Sequence, residues 1–187
     1  MIWRDHSKLE GKHAFLSASK YHWINYDDQK LYDSFKNHLA VERGTRLHAF
    51  ASECIKLNQK LQNINSTLNM FVNDSINFKM ESEKVLYYSD NCFGTADAIS
   101  FSRNKLLIFD LKTGETQAHM EQLEIYAALF CLEYKKDPRK ISIQLRIYQH
   151  DDVLILDAEG DIIYEIMEKI KHYDKLIDDI KVNEGIL

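Results

Sequence analysis

Proline and glycine are scarce in this chain, one and six in 187 residues, so there is little material for linkers or a loop-built fold. Cysteine is scarce as well. Cys54, Cys92 and Cys131 are scattered with no CxxC spacing, which excludes a readable zinc site and leaves too few thiols for a four-cysteine iron–sulfur cluster. No apolar run approaches the ~20 residues of a membrane span. The start, MIWRDHSKLEGKH, has no apolar stretch of signal-peptide length. A cytoplasmic protein with reduced thiols and no membrane partner is the expectation. Excess positive charge is also missing: the net charge is −5, against a protein that coats nucleic acid by bulk electrostatics.

What is present is a globular composition, 45% apolar and 11% aromatic, in a length that suits one domain, 1–187. Its charge is uneven. Residues 1–60 carry ten Lys/Arg against seven Asp/Glu, and residues 61–187 carry fourteen against twenty-two. A polyanion would find its cradle in the N-terminal third.

Periodicity divides the chain into a helical part (1–78), a sheet with a crossover helix (79–156) and an acidic closing helix (157–187). In the first part, Ser17 or Ser19 caps a short aromatic-rich helix that packs Tyr21, Trp23 and Ile24 inward. A helix over Leu31–Leu39 ends near Arg43-Gly44, and Thr45 caps another from Arg46 to about Leu61. Ser66 caps a helix through Ile76. Period-two alternation then predicts strands over Lys84–Tyr88, Cys92–Phe101 and Lys105–Lys112, joined by turns at Ser89-Asp90-Asn91 and Arg103-Asn104. A helix over His119–Tyr134, a strand over Ile141–Tyr148, an edge strand near Val153–Leu156 and a helix from Asp161 to about Val182 complete the pattern. Strand–helix–strand predicts a right-handed crossover and parallel pairing. The class is α/β, a mixed sheet flanked by helices with an N-terminal helical segment.

The chemistry concentrates between Gly94 and Tyr126. Asp110 and Lys112 stand two apart in one strand, so they share a face while Phe109 and Leu111 take the other. Asp97, in the preceding strand, approaches Asp110 through strand pairing. Two carboxylates and an ammonium on a half-buried surface need compensation, and a divalent cation supplies it economically. Gln122 and Tyr126 follow at i and i+4 on one helix face.

Together these residues resemble a known family. G-T-x-x-H (Gly44 to His48), G-T-A-D-A (Gly94 to Ala98), I-F-D-L-K-T-G (Ile108 to Gly114) and Q-x-x-x-Y (Gln122 to Tyr126) resemble the RecB-like branch of the PD-(D/E)XK nucleases, which includes λ-type and CRISPR-associated exonucleases. The similarity spans roughly residues 13–150, and its one departure is Phe109, which stands where the signature has proline. The resemblance implies a restriction-endonuclease-like core and a Mg²⁺- or Mn²⁺-dependent deoxyribonuclease without an iron–sulfur cluster. It implies His48, Asp97 and Asp110 as metal ligands, with the Leu111 backbone carbonyl. It also implies that Lys112 activates the attacking water and that Gln122 and Tyr126 orient the site or touch DNA. Ser17, Ser19, Lys20, Arg46 and His119 are candidate DNA contacts. The implied role is an exonuclease of phage or prophage recombination in a bacterial host, working beside a single-strand annealing protein as a homo-oligomer. An endonuclease and a catalytically silent DNA-binding protein of the same fold are the alternatives.

Overall fold

Two turns fix the central sheet. At Arg103-Asn104 both residues take left-handed φ, 49° and 58°, the conformation that continues the twist of paired strands with no slip. Strands β2 (Cys92–Ser102) and β3 (Lys105–Leu111) accordingly pair in plain antiparallel register, Ser102 with Lys105 through Ala98 with Phe109. At Asp90-Asn91 neither residue takes a positive φ. The pairing of β1 (Glu81–Ser89) with β2 therefore shifts by one residue between Tyr87 and Ser89. Beyond that bulge Ser82 faces Ala98 and Lys84 faces Ala96.

The structure, a computed structural model, describes residues 4–185; the first three and last two residues of the expected domain lie outside it. The predicted strand–helix–strand unit with parallel pairing is present. From β3 the chain passes through α3 (Glu121–Glu133) to β4 (Ser142–Gln149), which lies parallel to β3, and β5 (Asp152–Asp157) closes the edge antiparallel to β4. The five strands stand in the order β1-β2-β3-β4-β5, a mixed sheet in an α/β fold.

Helices cover both faces of that sheet. On one, Leu106, Ile108, Leu145 and Ile147 meet Leu123, Ala127 and Cys131 of α3 and Ile163 and Met167 of α4 (Gly160–Asn183). On the other, Leu107, Phe109, Leu111 and Tyr148 meet Ala51, Cys54 and Ile55 of α1 (Asp28–Lys56) and Phe71 and Val72 of α2 (Thr67–Asn77). From Leu106 to Leu111 strand β3 is apolar on both faces because both are packed; Asp110 is the exception.

By contact the chain divides at Gly44 into two compact units. The first, up to Arg43, contains a 3-10 segment, Ala18–Asn25, where the sequence suggests a capped helix. Ser17 occupies its N-cap position, yet its hydroxyl bonds to Ser19 Oγ, 2.6 Å away, instead of to a backbone amide. Trp23 is half-buried with its indole N–H on the Ser17 carbonyl. Tyr21 and Ile24, expected inside, are 62% and 71% exposed, because a three-residue turn does not gather these side chains onto one stripe.

The two helices expected over Leu31–Leu39 and Arg46–Leu61 are one helix, α1, which ends at Lys56, and Thr45 lies in its interior instead of at an N-cap. Gly44 reads as a stop signal in sequence but is buried within α1. A Cβ there would sit 2.8 Å from Thr113 Oγ1, so the missing side chain admits the segment that follows β3.

Candidate metal centre

The carboxyl end of β3 collects the polar residues that the sequence singles out. His48 continues the buried stripe of Ala51, Ser52 and Ile55 one turn toward the N-terminus of α1. Ser52 Oγ lies 3.0 Å from Ser82 Oγ and ties that stripe to β1. His48 Nδ1 thereby comes within 3.3 Å of Asp97 Oδ1 on β2.

Asp97 sits where the β2–β3 ladder ends. Its Oδ2 accepts the Leu111 N–H at 2.8 Å, taking the place of a strand carbonyl. In a strand the N–H and C=O of one residue share a side, so the Leu111 carbonyl edge is also turned toward Asp97. The Leu111 side chain is buried in the opposite layer, and Phe109 packs there against Phe78 and Tyr148.

Asp110 is 3% exposed. Lys112 Nζ forms an ion pair with its Oδ2 at 3.0 Å, and that oxygen is buried with no other polar partner among the described residues. Burial first and the Asp97 charge second push the Asp110 carboxyl above the ordinary 3.8, against the opposing pull of Lys112 and His48. His48 is raised above 6.5, chiefly by its contact with Asp97, with Asp110 and Glu83 adding to the effect.

Lys112 also donates to Gln122 Oε1 at 2.7 Å, and Gln122 Nε2 donates to Tyr126 Oη at 3.0 Å. The i, i+4 pair on α3 is thus joined to the β3 ammonium. Gly94 makes room for this arrangement, since a Cβ there would lie 2.8 Å from the Tyr126 ring. After Lys112, Gln149 pins the loop by bonding Gly114 O, Thr116 O and the Ala118 N–H. His119 is exposed at the end of that loop, and Arg46 is exposed on α1 half a turn before His48. Ser17, Ser19 and Lys20 belong to the N-terminal unit.

One member of this constellation is not apparent from the sequence. Glu83 falls opposite Asp97, between the Ser82–Ala98 and Lys84–Ala96 pairs. His48, Glu83 and Asp97 each offer a ligand atom within 4.8 Å of the others. Glu83 takes φ 52°, and the other non-glycine residues with positive φ among those described lie in turns or past helix ends. A left-handed backbone inside a strand costs about 1–3 kcal/mol and persists only where surrounding structure imposes it. Glu83 is exposed, and desolvation of its carboxyl together with the Asp97 charge raises it above 4.5. The signal that hides Glu83 is the bulge. A plain two-residue hairpin from Ser89 and Cys92 would put Lys84 opposite Asp97, and the one-residue slip replaces an ammonium with a carboxylate.

The donor set suits a hard or borderline divalent cation: carboxylate oxygens, one imidazole, a backbone carbonyl edge and no thiol. The buried oxygen of Asp110 and three carboxylates against one ammonium are what such a cation would compensate. The cysteines lie apart, Cys54 and Cys131 buried in opposite layers. No helix among the described residues is long and apolar enough to cross a membrane. Compared with protein-family models, with curated proteins and with solved structures, the chain has no match.

Proposed function

We propose that this chain is a metal-dependent deoxyribonuclease of the RecB-like PD-(D/E)XK type, an exonuclease that resects DNA ends in phage or prophage recombination. The observation that carries the reading is the meeting of His48, Asp97, Asp110 and Lys112 at one end of β3, with Lys112 linked onward to Gln122 and Tyr126. Four short motifs far apart in sequence supply these residues, and an ordinary intra-sheet ion pair would need only two of them.

Asp97, Asp110, His48 and the Leu111 carbonyl would hold Mg²⁺ or Mn²⁺. Bound there, the cation supplies charge neutralisation at a non-bridging phosphate oxygen and makes water acidic enough to attack near neutral pH. The protein's own groups do the rest. Asp97 is held by the Leu111 N–H, so one of its oxygens is oriented before any ligand arrives. The Lys112 ammonium stands between the Asp110 carboxylate and Gln122, where it orients the attacking water and favours loss of its proton. Gln122 and Tyr126 fix the lysine and present their outer edges to the DNA backbone. Arg46 and His119, together with Ser17, Ser19 and Lys20 of the N-terminal unit, are the proposed phosphate contacts. A single-strand annealing protein is the partner class, and homo-oligomers would suit processive work on one end.

End-labelled linear DNA and closed circular DNA, single- and double-stranded, test the proposal with Mg²⁺, Mn²⁺ or EDTA. Loss of linear DNA alone, abolished by EDTA, Asp110→Ala and Lys112→Ala, is the expected result. Nicked circles would make the enzyme an endonuclease. DNA bound equally by wild type and variants but never cut would leave a binding protein.

A further inference from the structure

We infer that Glu83 is a third side-chain ligand at this centre, completing with His48 and Asp97 a nitrogen–oxygen site that takes Mn²⁺ in preference to Mg²⁺. The inference rests on the metal-dependent reading above and deepens it. Ligand atoms of the three residues lie within 4.8 Å of one another. Two donors on one ion at bond lengths of about 2.1–2.2 Å stand up to about 4.4 Å apart, so small side-chain rotations bring all three to a common ion.

A second, independent observation points to the same place. Asp110, 3% exposed, carries a buried oxygen whose one polar partner among the described residues is the Lys112 ammonium. A carboxylate in that condition needs a positive neighbour beyond the single lysine that also serves Gln122.

The backbone explains how Glu83 is delivered. Antiparallel register sets it across from Asp97, and the Ser52–Ser82 contact holds the adjoining residue of β1 against α1, one turn beyond His48. The cation preference follows from the donors. Mg²⁺ keeps most of its water and takes one or two carboxylates, whereas an imidazole nitrogen is a ligand of first-row transition dications, of which Mn²⁺ also accepts carboxylates.

Mn²⁺ binding to the full chain, without DNA, is the test, followed by electron paramagnetic resonance of the free ion and repeated with Mg²⁺ as competitor. Wild type, Glu83→Gln and Glu83→Asp are compared, with cation-free melting as the check on folding. Glu83→Gln should weaken Mn²⁺ by about 10-fold or more, since loss of even an outer partner of a ligand costs that much. Glu83→Asp should fall between the two, and cation-free melting should hold or rise as two facing carboxylates become one. Wild-type Mn²⁺ affinity in both variants, or Mg²⁺ competing on equal terms in wild type, would overturn the assignment while leaving the centre at Asp97 and Asp110 standing. A wild-type protein that binds neither ion would remove this inference and the nuclease reading together.

Discussion

Asp97 receives the Leu111 N–H through its side chain, at the point where the β2–β3 ladder runs out of paired backbone. One carboxylate oxygen thus does the work of a strand carbonyl while the other faces His48. The sheet ends and the site begins at the same residue, and the functional consequences can be read from that coincidence.

At Asp110 a buried charge works against stability. A carboxyl raised above 3.8 in the folded chain holds its proton more tightly than in the unfolded chain. Stability therefore falls as pH rises from about 3.8 through the folded value, and at neutral pH the ionised group is a net cost. Asp110→Asn should melt higher than wild type at pH 7 without cations, by about 2–4 °C, while losing DNA cleavage. Thermal melts at pH 4 and pH 7 check this, the gap closing at the lower pH.

Lys112→Ala should lower cleavage of linear DNA at least about 100-fold, the usual scale for a group that assists proton transfer. Mn²⁺ binding should persist, because the lysine is not a ligand. Single-turnover rates beside binding isotherms separate the two effects.

His48 predicts opposite pH trends for folding and for metal binding. Its value is raised above 6.5 by Asp97, so its stabilising contribution is fully present below 6.5 and is lost as pH rises through the higher folded value. A cation requires the neutral ring, so Mn²⁺ affinity should grow over that same rise. His48→Asn should flatten the binding profile between pH 5.5 and 8.5, measured by calorimetry.

Gly94→Ala places a methyl against the Tyr126 ring, 2.8 Å from its nearest carbon. The ring can swing aside, so folding should change little. The Gln122–Tyr126 bond would break, and cleavage should drop about 10- to 100-fold through misplacement of Lys112. Rates with melting curves distinguish this from unfolding.

Strands β2 and β3, their turn and the parallel crossover were legible because period-two alternation and the Arg103-Asn104 turn agree with each other. The polar set of Asp97, Asp110, Lys112, Gln122 and Tyr126 was legible for the same reason: all lie on elements whose register the sequence specifies. Glu83 was hidden because its place depends on a bulge at Asp90-Asn91, whose local preference gives no sign of the slip. The unbroken α1 was hidden because Gly44 answers to Thr113, a neighbour 69 positions away that no local signal reveals. In the N-terminal unit, Tyr21 and Ile24 misled because apolar character was equated with burial.

The acidic helix α4 grips the turn of the first hairpin. Asp174 accepts from Ser89 Oγ and Asn91 Nδ2, Asp178 accepts from Asn91 Nδ2, and Lys181 donates to Asn91 Oδ1. That turn adjoins the slip that sets Glu83 opposite Asp97. The C-terminal helix is therefore a clasp on the turn that joins β1 to β2. A chain shortened before Asp174 would lose all four bonds, and the alignment of β1 would then rest on its ladder with β2 and on the buried Leu86.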